Sequence, residues 1–133
     1  MRIARELIDE IVAHAREEAP NECCGLIGGV DGRAARIFRA RNSEASPFRY
    51  VVDPRDQIRI IGEIENRGEE LVGIYHSHTR SPAYPSQTDV NLADGWPDPL
   101  YLICSLAGDD PDVRAFAIRD GAIEEAELLV EVA

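Results

Sequence analysis

The run ELVGIYHSH at residues 70–78 constrains this chain more than any other segment. Its apolar letters, Leu71 to Ile74, anchor a strand, and a strand needs neighbours to satisfy its backbone N–H and C=O groups. Successive strand residues point to opposite faces, so His76 and His78 share one face and Ser77 takes the other. Their Cα atoms then lie about 6.6 Å apart, near enough for two imidazoles to converge on one ion. The pair stands at the C-terminal end of its strand, where open sheets containing parallel strands collect ligands.

The flanking segments supply partners for that strand. Ile3, Leu7, Ile8, Ile11, Val12 and Ala15 recur with helical spacing over residues 3–18, and Pro20 and Asn21 stop the pattern. ECCGLIGGV and RAARIFRA flank Asp31-Gly32, a hairpin signal. PFRYVVD reads as a further strand. PRDQIRIIGEIENRG reads as a helix that starts near Pro54, carries Ile58, Ile61 and Ile64 on one face and ends at Gly68. SQTDVNLAD opens a short helix capped by Ser86. PLYLICSL, VRAFAIRD and AIEEAELLVEV are three more strands. The order predicts an α+β fold, an α/β-like sandwich in which helices pack on a mixed sheet. At 133 residues the chain is expected to be one domain over 1–133, large enough to bury a core without a structural metal.

Charge narrows the partners. Twenty-five acids against fourteen bases leave a net charge of −11, which opposes binding to nucleic acid or to an anionic membrane. All fourteen bases are arginine, so the chain offers no ε-amine. No apolar run approaches the roughly 20 residues of a membrane span. The amphipathic, acid-rich start is unlike a signal peptide. An odd set of cysteines, Cys23, Cys24 and Cys104, fits a reduced, cytoplasmic setting.

Taken singly, each polar residue near the histidines has an ordinary explanation. His-x-His can be a polar strand end. Ser86-x-x-Asp89 is a capping box. Glu22 can be a solvated strand end. Together they allow a different chemistry. A helix start fixes a carboxylate beside backbone N–H groups that favour its ionised form. Two imidazoles and that carboxylate make three ligands with a fourth tetrahedral position open, the arrangement of a catalytic zinc site. Glu22 is the candidate base.

The pattern H-S-H-x7-S-x2-D from His76 to Asp89, with Glu22-Cys23-Cys24-Gly25-Leu26 upstream, resembles the JAMM (MPN+) metalloprotease family. The motifs span residues 22 to 89, and the element order extends the likeness over nearly the whole chain. The resemblance implies a curved mixed sheet flanked by helices, the MPN/JAB (cytidine-deaminase-like) architecture. It implies that His76, His78 and Asp89 ligate Zn2+, that Glu22 orients a water and shuttles its proton, and that Ser86 donates a hydrogen bond to the oxyanion. The short loop between the motif residues, with YHSHT, AYPS and TDV, is most similar to small bacterial members. Those release cysteine from a ubiquitin-like sulfur-carrier protein by cutting after its C-terminal Gly-Gly. The implied function is therefore a zinc hydrolase of that carrier linkage in cysteine biosynthesis. The alternatives are an isopeptidase acting on protein-lysine conjugates and a catalytically silent MPN scaffold. Small members often pair, so a homodimer is among the expected states. Arg80, in the loop after the histidines, is a candidate for the leaving amino acid's carboxylate because its guanidinium is a planar fork.

Two cysteine chemistries compete. Cys23 and Cys24 are adjacent on a strand and face opposite sides, which opposes a Cys-Cys-His-His zinc site. A cysteine peptidase would pair Cys24 with one histidine but leave the second histidine, Ser86 and Asp89 unexplained. His14, beside the apolar stripe of the first helix, is expected at a surface or boundary with no chemical role.

Overall fold

The computed structural model describes residues 1–132. In chain order the elements are β1 (Arg2–Ala4), α1 (Arg5–Glu18), β2 (Cys24–Val30), β3 (Arg33–Ala40), α2 (Pro54–Asn66), β4 (Glu70–His78), α3 (Gln87–Leu92), β5 (Leu100–Ser105), β6 (Asp112–Arg119), β7 (Ala122–Ala126) and β8 (Leu129–Glu131). The strands form one eight-stranded sheet in the order β7-β6-β5-β4-β2-β3-β1-β8. It is mixed: β4 runs parallel to β5, and β1 parallel to β3 and β8, while the other pairs are antiparallel. The expected α+β architecture, a curved mixed sheet flanked by helices, is the one found.

Alternation within the strands divides the core in two. Ile8, Ile11 and Ala15 of α1 pack on Cys23, Ile27, Tyr75, Leu102 and Cys104 on one face. Ile60 and Ile64 of α2 pack on Cys24, Leu26, Ile74, Ile103 and Phe116 on the other, together with Val90 and Leu92 of α3. Each fully buried aliphatic side chain stabilises the fold by about 1.5–3 kcal/mol. β4 therefore has an apolar cover on both sides, and its last residues, His76 and His78, lie on the α2/α3 side.

Four sequence expectations need correction. The first helix begins at Arg5, because residues 2–4 form a strand whose Ile3 pairs with Val130. The last expected strand is two, β7 and β8, divided at residues 127–128 so that β8 can lie beside β1 at the far side of the sheet. On α2 the inward face is Ile60, Ile61 and Ile64, while Ile58 is 75% exposed. PFRYVVD is irregular apart from one bridge, Val52 to Asn42. Its end does serve the next helix, since the Asp53 carboxylate accepts from the N–H groups of Arg55 and Asp56 and caps α2 ahead of Pro54.

His14 is also misjudged by its neighbours in sequence. It is buried, and its Nδ1 lies 2.7 Å from the Tyr75 hydroxyl. The Tyr75 ring reaches it by crossing Gly25, where an added Cβ would stand 2.3–2.5 Å from ring atoms and its hydroxyl. Burial, helped by Arg39 and opposed by Glu17, lowers the His14 pKa from 6.5 to about 4. The folded protein keeps this imidazole neutral while the unfolded chain protonates it. Its contribution is full above pH 6.5 and lost as pH falls through about 4. His14→Gln, which cannot titrate, is expected to flatten the fall in Tm across that window. Thermal melts of both proteins between pH 7 and 4 check this; parallel declines would rule it out.

Candidate metal centre

The β2–β4 register places Cys24 opposite His76, and the Ser77 N–H donates to the Cys23 carbonyl at 3.2 Å. Two residues before Cys24, Glu22 is thereby brought to the same end and face of the sheet as His78. Ser77 points to the other face, where its Oγ accepts from the Cys23 N–H at 2.8 Å. α3 supplies the remaining carboxylate. Ser86 Oγ accepts from the Asp89 N–H at 3.1 Å, and the Asp89 carboxylate accepts from the Ser86 N–H at 2.9 Å. This reciprocal box fixes Asp89 against the histidines.

Glu22, His76, His78 and Asp89 are all buried, and one ligand atom from each lies within 4.8 Å of the others. Three atoms draw closer still. His76 Nε2 and His78 Nε2 are 3.2 Å apart, and Asp89 Oδ2 lies 3.1 Å from the first and 3.0 Å from the second. Ligand atoms on an ideal tetrahedral zinc, at about 2.0–2.1 Å from the ion, stand roughly 3.3–3.4 Å apart. The triangle is within a few tenths of an ångström of that. Its chemistry points the same way. His78 Nδ1 donates to the Pro82 carbonyl at 2.8 Å, which leaves a bare lone pair on Nε2 of the neutral ring. Lone pairs of two imidazoles and a carboxylate repel unless a cation or proton stands among them. The residues fit a divalent metal.

The charges agree. Burial pushes against ionisation of Asp89, but hydrogen bonds with His76 and His78 outweigh it and hold the carboxyl well below the usual range. Burial lowers the His76 pKa. Burial would lower His78 as well, yet its bonds to Asp89 and Pro82 outweigh burial and raise it. Burial drives the Glu22 carboxyl up to about 8, with His78 pulling it down and Asp89 pushing it further up. Among the described residues, Glu22 Oε1 has no hydrogen-bond partner. A buried oxygen left free beside a ligand cluster is suited to a water or a reacting group.

The other sequence candidates separate clearly. Ser86 is exposed, and its hydroxyl proton stays free while its oxygen serves the cap. Arg80 is exposed in the loop after β4. Cys23 and Cys24 belong to opposite cores, as strand alternation requires. Burial pushes the Cys23 thiol up to about 12 and the Cys24 thiol higher, so neither is a thiolate nucleophile near neutral pH. Sequence reasoning missed Tyr50. Its buried ring stacks on His76 with centroids 4.2 Å apart and planes 20° apart. The aromatic letter in PFRYVVD is visible, but nothing local aims it at a histidine.

Comparison with known proteins agrees with this geometry. Residues 4–119 match the sequence profile of the prokaryotic homologues of the JAB domain. The chain is 41% identical over 128 residues to the CysO-cysteine peptidase of Mycobacterium tuberculosis, covering 92% of this chain and 86% of the relative. It is 39% identical over 140 residues to the desampylase of Haloferax volcanii, covering 99% of this chain and 96% of the relative. A solution structure of a Desulfitobacterium hafniense protein superposes with a TM-score of 0.90 at 34% identity, covering 100% of this chain and 94% of that one. The profile over most of the chain, joined to a buried Glu-His-His-Asp cluster, makes this protein a member of the prokaryotic JAB-domain family, the hydrolases of JAMM/MPN+ type.

Proposed function

We propose that the protein is a zinc hydrolase that cuts the amide bond after the C-terminal Gly-Gly of a ubiquitin-like sulfur-carrier protein and releases cysteine, as a step of cysteine biosynthesis. The observation that carries this reading is the convergence of Glu22, His76, His78 and Asp89 in a chain 41% identical to a CysO-cysteine peptidase. Two nitrogens and one carboxylate oxygen suit zinc, with a position left for water or substrate. A zinc ion held there supplies Lewis acidity, polarising the scissile carbonyl and making a water nucleophilic near neutral pH.

The chain's own residues do the rest. Glu22 takes the proton of the attacking water and returns it to the leaving amine. Its raised pKa suits both halves of that task, because the carboxyl holds a proton up to about pH 8 and gives it up more readily beside a cation. The free Ser86 hydroxyl donates to the oxygen that gains charge as the carbonyl is attacked. A second reading, cleavage of protein-lysine conjugates, is favoured by the desampylase match over 99% of the chain. Either linkage presents an amine to the same site.

The deciding experiment offers a carrier bearing a C-terminal cysteine, the same carrier joined to a protein lysine, and a diubiquitin. Mass spectrometry reads which bond is cut, with and without a chelator. Chelator-sensitive release of cysteine is expected. Cleavage of the lysine conjugate with the cysteine adduct untouched would replace the first reading by the second.

A further inference from the structure

The segment between β3 and α2 has one isolated bridge in place of a strand ladder, with backbone bonds from Ser43 to Val51 and from Asp53 to Arg41 beside it, and one side chain draws the rest together. The Asn42 carboxamide makes four hydrogen bonds. Its Nδ2 donates to the Arg49 carbonyl at 3.0 Å and to the Glu22 carbonyl at 3.1 Å. Its Oδ1 accepts from the N–H groups of Glu44 and Val51, each at 3.0 Å. The Arg49 carbonyl and the Val51 N–H belong to the two peptide groups that flank Tyr50. The Glu22 carbonyl belongs to the peptide that follows Glu22. One side chain thus joins the residue stacked on His76 to the residue proposed as base.

Other contacts reinforce the tie. The Glu22 N–H donates to the Ser46 carbonyl at 2.9 Å, so the same loop grips Glu22 on both sides. The turn that aims this carbonyl passes through Ala45 at φ 44°, a left-handed conformation uncommon for a residue with a side chain. The Ala45 N–H is held by the Asn42 carbonyl at 3.1 Å. A metal-ligating histidine is ordinarily oriented by a hydrogen bond at its other nitrogen. His78 has one, from Nδ1 to Pro82, but His76 Nδ1 is buried without a partner among the described residues. Its Nε2 faces Asp89 at 3.1 Å, and stacking on Tyr50 takes the place of a hydrogen bond at the other nitrogen in setting the plane of that ring.

We propose that Asn42 is a positioning residue for the metal centre, setting Glu22 and, through Tyr50, the His76 imidazole as one unit. This rests on the zinc-hydrolase reading above. Asn42→Ala is expected to lower kcat at least tenfold and to weaken zinc binding by about 10–100-fold, the range seen when the partners of metal ligands are removed. Zinc affinity is read by chelator competition and kcat on the carrier adduct. Ser43→Ala is the control, because it removes a loop bond to the Val51 carbonyl (3.2 Å) without touching Glu22 or the Arg49 carbonyl. It should leave both quantities within about twofold of wild type. Equal losses in the two variants would mean that Asn42 only stiffens the loop, which overturns the proposal, as would no loss in Asn42→Ala.

Should Asn42→Ala be unfolded, the same coupling is read from its other end. Tyr50→Leu is expected to weaken zinc binding at least tenfold, and Tyr50→Phe, which keeps the ring, to retain it. Unchanged zinc affinity in Tyr50→Leu also overturns the proposal. A wild-type protein that neither binds zinc nor cuts the carrier defeats the functional reading. A wild type that does both beside an indistinguishable Asn42→Ala defeats this inference alone.

Discussion

Asp89→Asn is expected to lose zinc and, with it, cleavage of the carrier by about a thousandfold or more. The substitution nearly preserves shape and volume, so the change is one of charge. The Asp89 oxygen at 3.0–3.1 Å from both imidazoles is the only anion of the three-atom triangle. An amide leaves two neutral nitrogens and a weak oxygen donor, a poor set for a divalent ion. Because Asp89 also belongs to a capping box, loss of activity by itself would be ambiguous. Ser86→Ala separates the two roles. It removes the cap at a cost of about 1 kcal/mol in stability. It also removes the proposed oxyanion donor, worth about 10²–10³ in kcat, but it touches no ligand atom, so zinc should remain. Metal analysis of the two purified variants, beside wild type, is the measurement. Asp89→Asn with full zinc content would remove Asp89 from the ligand set.

Much of this arrangement is legible in the amino-acid sequence. The strand ELVGIYHSH, the capping box at Ser86 and the helix after Pro54 each announce themselves within a few residues, because alternation, capping and a fixed proline φ are local effects. Alternation also separates Cys23 from Cys24 and sends Ser77 away from the histidines. What escapes depends on distant partners. Residues 2–4 are a strand because residues 129–131 lie along one side of them and the start of β3 meets Arg2 on the other. PFRYVVD has a strand-like composition, but the Asn42 side chain takes the Arg49 carbonyl and the Val51 N–H that a neighbouring strand would have paired. Ile58, Ile61 and Ile64 fit a helical face as well as Ile60, Ile61 and Ile64 do, and only packing against the sheet decides between them. His14 is legible as a helix residue, but not as the partner of a tyrosine sixty-one positions away. The motif spacing brings the four clustered residues to notice. The ring and the carboxamide that brace them have no spacing rule.

Glu22→Gln is expected to leave zinc bound and lower kcat by about 10²–10⁴, the usual worth of a positioned acid–base group. Glutamine fills the same space and cannot accept or return the proton. A pH experiment on metal-free protein tests the environment independently of turnover. The Glu22 pKa is about 8 in the fold against 4.5 ordinarily, mainly through burial. The native state keeps its proton while the unfolded chain releases it, so native stabilisation is full below pH 4.5 and is lost as pH rises through about 8. Metal-free wild type should therefore lose stability relative to metal-free Glu22→Gln over that window. The slope is opposite in sign to that of His14, so the two groups can be told apart. Chemical denaturation at pH 5, 6.5 and 8 reads the difference. A constant gap between the two proteins would mean that Glu22 titrates as an ordinary surface carboxylate. Full kcat in Glu22→Gln would show that the proton travels by another route.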